Sequence, residues 1–134
     1  MTGPNADIEI RTDSFPSDKE LGALWRAAWK NDAEPLRFQR TLRACLLHLT
    51  AHEGTRLVGF VKVASDGDAH GFLLDPIVHP ELRRSGLGSL LVKTAITTAR
   101  DRGMRHLHVD FEPPLRAFYE KCGFAPTEAG LIRL

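Results

Sequence analysis

The hydrophobic and polar positions of this chain follow two rhythms in turn. Ile8 and Ile10 alternate with Asp7, Glu9 and Arg11, the period of a short β-strand. Leu21, Leu24, Trp25, Ala28 and Trp29 then recur at i, i+3, i+4, i+7 and i+8, an apolar stripe along one helix face. Ser17 stands three residues before Glu20, a capping-box spacing that satisfies free N–H groups where a helix begins. Pro35 suits the first turn of a second helix through Leu36, Phe38, Leu42 and Ala44.

Strand patterns follow. Segments 45–50 and 56–64 flank a turn at Glu53-Gly54 and read as a hairpin. Asp66-Gly67-Asp68 makes the next turn, and 71–79 gives a third strand in succession. A glycine-bearing loop, 80–88, leads into a helix over 87–100, which Gly103 ends in the left-handed cap position. Residues 106–111 alternate as a strand. Pro113 and Pro114 open a last helix that runs through Cys122 and closes at Gly123, and 131–134 is expected as a final strand. The order strand, two helices, three strands, helix, strand, helix, strand describes a mixed α/β (α+β) domain, expected to be single over 1–134.

Composition narrows the functions this domain can have. A chain of 134 residues, 43% hydrophobic and 26% charged, is long enough and apolar enough to bury one core. A formal net charge of +1 gives no overall field to hold nucleic acid or an anionic membrane, so neither is expected as a partner. No apolar run has the length of a membrane span or the form of a signal peptide. Cys45 and Cys122 lie far apart, without a CxxC partner for zinc or redox chemistry. A reduced, cytoplasmic protein is expected.

The sharpest local signal is Arg83-Arg84-Ser85-Gly86-Leu87-Gly88, directly after a strand and opening a helix. Glycines allow close backbone approach, the first N–H groups of a helix lack partners, and the helix dipole favours an anion, so this is a seat for phosphate. Arg83 and Arg84 add charge at its rim. There is no Gly-Lys-Ser/Thr for a nucleotide P-loop and no full GxGxxG in an early strand–helix unit.

The segment from Asp75 to Leu91 resembles the central motif of the GNAT superfamily of N-acetyltransferases, an Arg/Gln-x-x-Gly-x-Gly/Ala pattern met by Arg83, Gly86 and Gly88. Downstream, Phe118-Tyr119-Glu120-Lys121-Cys122-Gly123-Phe124 is similar to the superfamily's second motif. The resemblance implies acetyl-CoA as acyl donor. It also implies a mostly antiparallel sheet flanked by helices, with a splayed central strand pair forming the cofactor cleft. By that likeness, the backbones of Ile77 and Val78 pair with pantetheine, and backbone amides from Arg84 to Ser89, Leu87 included, hold the pyrophosphate. Pro76, which lacks a ladder donor, fits a place where pairing is interrupted. Family members often carry an asparagine near the start of the second motif; this chain has Glu112-Pro113-Pro114 there.

Acetyl transfer from a thioester to an amine needs a neutral amine, a polarised carbonyl and a proton for the leaving thiolate. An alkyl amine with a pKa of about 10.4 must lose its proton, and a thiolate of about 8.5 gains from an acid such as a tyrosine near 10. Tyr119, the only tyrosine, occupies the position that resembles the family's general acid. For the base, Leu73, Asp75 and Ile77 would share one face of a pleated strand, setting the Asp75 carboxylate among apolar neighbours. Asp110 and Glu112 are the alternatives, since His106, His108 and Asp110 form the polar face of their strand. His106-x-His108 has no recognisable third metal ligand and no zinc spacing, so no metal is expected. Cys122 has no histidine partner for an acyl-enzyme, so direct attack in a ternary complex is the expected route.

A small-molecule or peptide amine would enter beside the first helices, where Trp29, Asn31 and Asp32, with Asp75 and Asp110, are candidate contacts. Two other readings stay open: a non-catalytic acyl-CoA-binding or sensing domain of the same fold, and an interaction module whose glycine loop is only a helix entry. A homodimer is also allowed.

Overall fold

One sheet divides the molecule, and its two faces carry separate cores. The computed structural model describes residues 7–29 and 37–134, so the expected helix start at Pro35 and Leu36 lies outside the described residues. The strands lie in chain order: β1 (Ile8–Thr12), β2 (Leu47–Glu53), β3 (Arg56–Ser65), β4 (His70–Val78) and β5 (His106–His108). Neighbours are antiparallel except β4 and β5, which are parallel. Helices α1 (Asp18–Trp29) and α2 (Gln39–Ala44) cover one face, and α3 (Leu87–Asp101) and α4 (Arg116–Lys121) the other. This is the mixed, mostly antiparallel sheet flanked by helices that the sequence implied.

The capping box forms as read: the Glu20 N–H donates to Ser17 Oγ at 3.1 Å, and the Ser17 N–H to Glu20 Oε1 at 3.2 Å. The α1 stripe buries Leu21, Leu24 and Ala28 with Leu57, Phe60 and Ile77 of the sheet. On the far side Leu87, Leu91, Val92, Ala95 and Ala99 of α3 pack on Leu47, Leu49, Val61, Val63 and Leu73. Gly103 takes a φ of +94° after α3, the left-handed cap that its position predicted.

Two expected strands change. Residues 131–134 form no strand, and Leu131, Ile132 and Leu134 are 92%, 79% and 111% exposed. A four-residue segment needs a neighbouring edge to pair with, and β5 is only three residues long. The strand expected over 106–111 stops at His108, where its pairing with β4 ends at Phe72.

β2 departs from simple alternation, being buried along nearly its whole length. Its odd positions enter the α3 core, while His48, Thr50 and His52 lie beneath the β1–α1 connection. The Phe15 N–H donates to His48 Nε2 at 2.9 Å, and Ser14 and His52 both bond the Thr50 hydroxyl. Asp13 and Phe15 hold φ values of +54° and +51° in this connection. Burial lowers the pKa of both histidines. Their unfolded forms, titrating near 6.5, therefore bind protons at a pH where the folded forms do not. Stability is complete above about pH 6.5 and falls as acidity increases toward the folded-state values. Urea midpoints measured from pH 7 to pH 5 are expected to decline, with a shallower decline in His48→Phe. A flat wild-type profile would contradict this.

Candidate functional site

The site begins where the sheet comes apart. β5 pairs with β4 only at His70–His106, Gly71–Leu107 and Phe72–His108, leaving the stretch from Leu73 to Val78 without a partner on that side. On its other side β4 bulges: the register against β3 shifts between the Lys62–Leu74 and Phe60–Ile77 pairs, so Asp75 and Pro76 face a single residue. Asp75 adopts a φ of +53° to make the bulge, and Pro76 occupies a position where no ladder N–H is required.

The bulge overturns one reading of the sequence. Leu73 belongs to the α3 core and Ile77 to the α1 core, so Leu73, Asp75 and Ile77 do not share a face. An extra residue reverses the alternation. Asp75 instead meets Lys62 Nζ at 2.8 Å in a partly buried ion pair. The same pair lies near Cys45, whose thiol is pushed up chiefly by burial, so it is not a ready thiolate.

After β4 a short 3₁₀ turn, Pro80–Leu82, feeds the glycine loop. Gly86 caps α3 at φ +88°, and Arg84 also sits at a positive φ of +63°. The Ser85 hydroxyl donates to the Leu82 carbonyl and accepts from the Leu87 N–H at 3.3 Å, fixing the turn from within. Leu90 makes the first helical bond, to the Gly86 carbonyl, so the N–H groups of Gly88 and Ser89 precede any intrahelical acceptor. A Cβ at Gly88 would lie 3.7 Å from Phe118 and 3.7 Å from Val78, ordinary contacts that leave packing no reason to demand glycine. Arg83 turns away and donates to the Ala28 carbonyl at 2.9 Å, capping the end of α1 and leaving Arg84 at the rim.

Loop and split strand share a cavity of about 570 Å³. Among the expected cofactor residues, Ile77, Val78, Arg83, Arg84, Gly86, Gly88, Ser89 and Tyr119 line it. Leu87 is fully buried in the core and Ser85 serves the turn; neither lines the cavity. Tyr119 is 4% exposed and held in an aromatic box. Phe111 stacks on it at 4.9 Å, with Phe118 and Phe124 edge-on at 5.0 and 5.8 Å. Burial pushes its phenol above the ordinary value, with Cys122 and Asp110 adding to the effect, so it keeps its proton through the neutral range.

Residues 8–124 match the model of the acetyltransferase (GNAT) family, a span that takes in both motifs, the split and the loop. The chain belongs to that family. Among GNAT relatives, an uncharacterized N-acetyltransferase, ycf52, of Porphyra purpurea is 31% identical over 77 residues, covering 58% of this chain and 44% of that one. A mycothiol acetyltransferase of Mycolicibacterium vanbaalenii is 33% identical over 66 residues, covering 49% and 22%. The chain thus spans less than half the length of these curated relatives. A crystal structure from Deinococcus radiodurans R1, assigned as an acetyltransferase, superposes with a TM-score of 0.82 over 99% of this chain and 92% of that one, at 24% identity.

The remaining candidates are scattered around this GNAT cleft. Asp110 follows β5 and lines a second groove, behind Phe111. Glu112 precedes a 3₁₀ turn, Pro113–Leu115, and lines neither cavity. Trp29, 47% exposed, ends α1 against Trp25, next to the carbonyl that Arg83 caps. Asn31 and Asp32 lie outside the described residues. Sequence reasoning missed Leu115 and Leu82, apolar walls of the cleft, and Lys62, the cation on Asp75. Among the described residues, no helix is long and apolar enough to cross a membrane.

Proposed function

We propose that this domain transfers an acetyl group from acetyl-CoA to a primary amine by direct attack in a ternary complex. The observation that carries the reading is the cavity joining the unpaired stretch of β4 to the glycine loop at the start of α3. An extended β4 edge with free backbone groups suits the amides of the pantetheine arm. The amides of Gly88 and Ser89, the α3 dipole and Arg84 suit its phosphates. The bare Gly88 leaves the space such a ligand requires.

In this reading the amine nitrogen attacks the thioester carbonyl, the carbon–sulfur bond breaks, and Tyr119 gives its proton to the departing sulfur. The amine's proton passes to a carboxylate, directly or through water. Asp110 lines the groove at the end of β5, whereas Asp75, in the unpaired stretch of β4, and Glu112 line neither cavity. Lys62 holds Asp75 in position. An acyl-CoA-binding domain without turnover uses the same cleft and is separated by rate measurements alone.

Free thiol released from acetyl-CoA across a panel of primary amines tests the proposal. Amine-dependent release is expected, with Asp75→Asn or Asp110→Asn lowering kcat about 100-fold, the lower range for a lost general base. Acetyl-CoA binding without release for any amine would leave only the binding reading.

A further inference from the structure

The α1-facing side of β4 and β5 carries an arrangement that the cofactor cleft does not use. His106, His70, His108 and Phe72 form a ladder of rings, with successive centroids 4.8, 5.0 and 4.8 Å apart and tilts of 14°, 30° and 16°. The sequence offered only the pair His106-x-His108; strand pairing supplies His70 between them. His70 Nδ1 and His108 Nε2 share a hydrogen bond of 2.8 Å. That separation is too short for a metal ion, which at about 2.0–2.1 Å from each nitrogen in tetrahedral geometry needs them more than 3 Å apart. Among the described residues no group is arranged to hold a metal.

The ladder rises toward the ends of the two parallel strands, and Phe72, 40% exposed, is its last rung. Pairing stops there, at the mouth of the split. One step further, Leu74 of β4 and Asp110 beyond β5 bound the next position on this side; with Phe72 and His108 they contribute to a groove of about 620 Å³ along the open edge of β5, whose other wall is the segment from Gly123 to Leu131. Leu74 pairs with Lys62, two residues from Phe60 of the α1 core, so the position opens on the face away from α3. It is a rung without a ring, beside a carboxylate.

We infer that the acceptor amine is carried by a short chain on a flat aromatic or heteroaromatic ring, which stacks on the free face of Phe72. The inference rests on the acetyl-transfer reading and names the acceptor class for that same site. The ring completes the ladder over Leu74, and Asp110 attracts the ammonium group to the edge of the split, where the thioester is presented. Stacked and edge-on aromatic pairs gain stabilisation beyond the area they bury, which a saturated ring of similar size does not obtain.

The test uses the desulfo-CoA complex of the whole chain, titrated calorimetrically with 2-phenylethylamine and 2-cyclohexylethylamine. The aromatic amine is expected to bind about three- to tenfold more tightly. Phe72→Leu is expected to remove that difference and Phe72→Tyr to retain it, with desulfo-CoA binding in each sample reporting the fold. Equal affinities in the wild type, including no binding of either amine, would overturn the inference, as would a preference that survives Phe72→Leu. Acetyl transfer without ring preference would keep the transferase reading and reject this one. Ring preference without transfer would keep the ring site and reject the transferase.

Discussion

Replacing Gly88 by valine is expected to cost at least about 100-fold in acetyl-CoA affinity while the domain stays folded. Gly88 lies in the first turn of α3, where valine is at least as good a helix former as glycine. Its Cβ would meet nothing closer than 3.7 Å, so the fold accommodates a side chain. The branches would project into the cleft between Val78 and Phe118, where the ligand must approach the Gly88 and Ser89 amides. Hydrogen bonds to a charged group contribute about 1.5–3 kcal/mol each, and losing two of them accounts for the 100-fold. The neighbouring Gly86 is a poorer probe, because its φ of +88° strains any branched residue there regardless of ligand. Thermal unfolding at or above the wild-type midpoint, together with lost binding by calorimetry, is the expected pair of results. Unchanged affinity would remove the loop from the cofactor site.

Tyr119→Phe is expected to lower kcat by about 100-fold or more, the range for a lost general acid. The substitution deletes one hydroxyl and leaves the ring in its box of Phe111, Phe118 and Phe124. Acetyl-CoA affinity should change by no more than the worth of one neutral hydrogen bond, about tenfold. Because burial raises the phenol's pKa, the wild-type rate is not expected to fall from loss of this proton below about pH 10. Stopped-flow turnover with saturating acetyl-CoA measures the difference. A variant with wild-type kcat would assign Tyr119 to packing alone.

What the sequence disclosed follows from how local each signal is. The capping box at Ser17 and Glu20, the α1 stripe and the glycine after α3 depend on neighbours within a turn, and each forms as read. The glycine loop and the helix it opens were legible for the same reason, since the glycine positions and the helix start lie within six residues. The failures are long-range. Strict alternation put Asp75 among apolar residues, but a bulge against β3 turned it to Lys62, thirteen positions away in the chain. Residues 131–134 have a strand's composition and no edge to join. The imidazole ladder needs His70 beside His106, a pairing fixed only when β4 and β5 come together in parallel. Nothing local reveals that the Arg83 guanidinium, at the wall of the cleft, also reaches the end of α1.

Isothermal titration of the purified chain with acetyl-CoA tests the central claim most directly, with desulfo-CoA and ATP as comparison ligands. Saturable one-to-one binding of both CoA ligands, with none for ATP, is the result predicted by the proposal that the split strand takes the pantetheine arm and the loop its pyrophosphate. Absence of acetyl-CoA binding, or equal binding of ATP, would contradict the assignment of the cleft between β4 and α3.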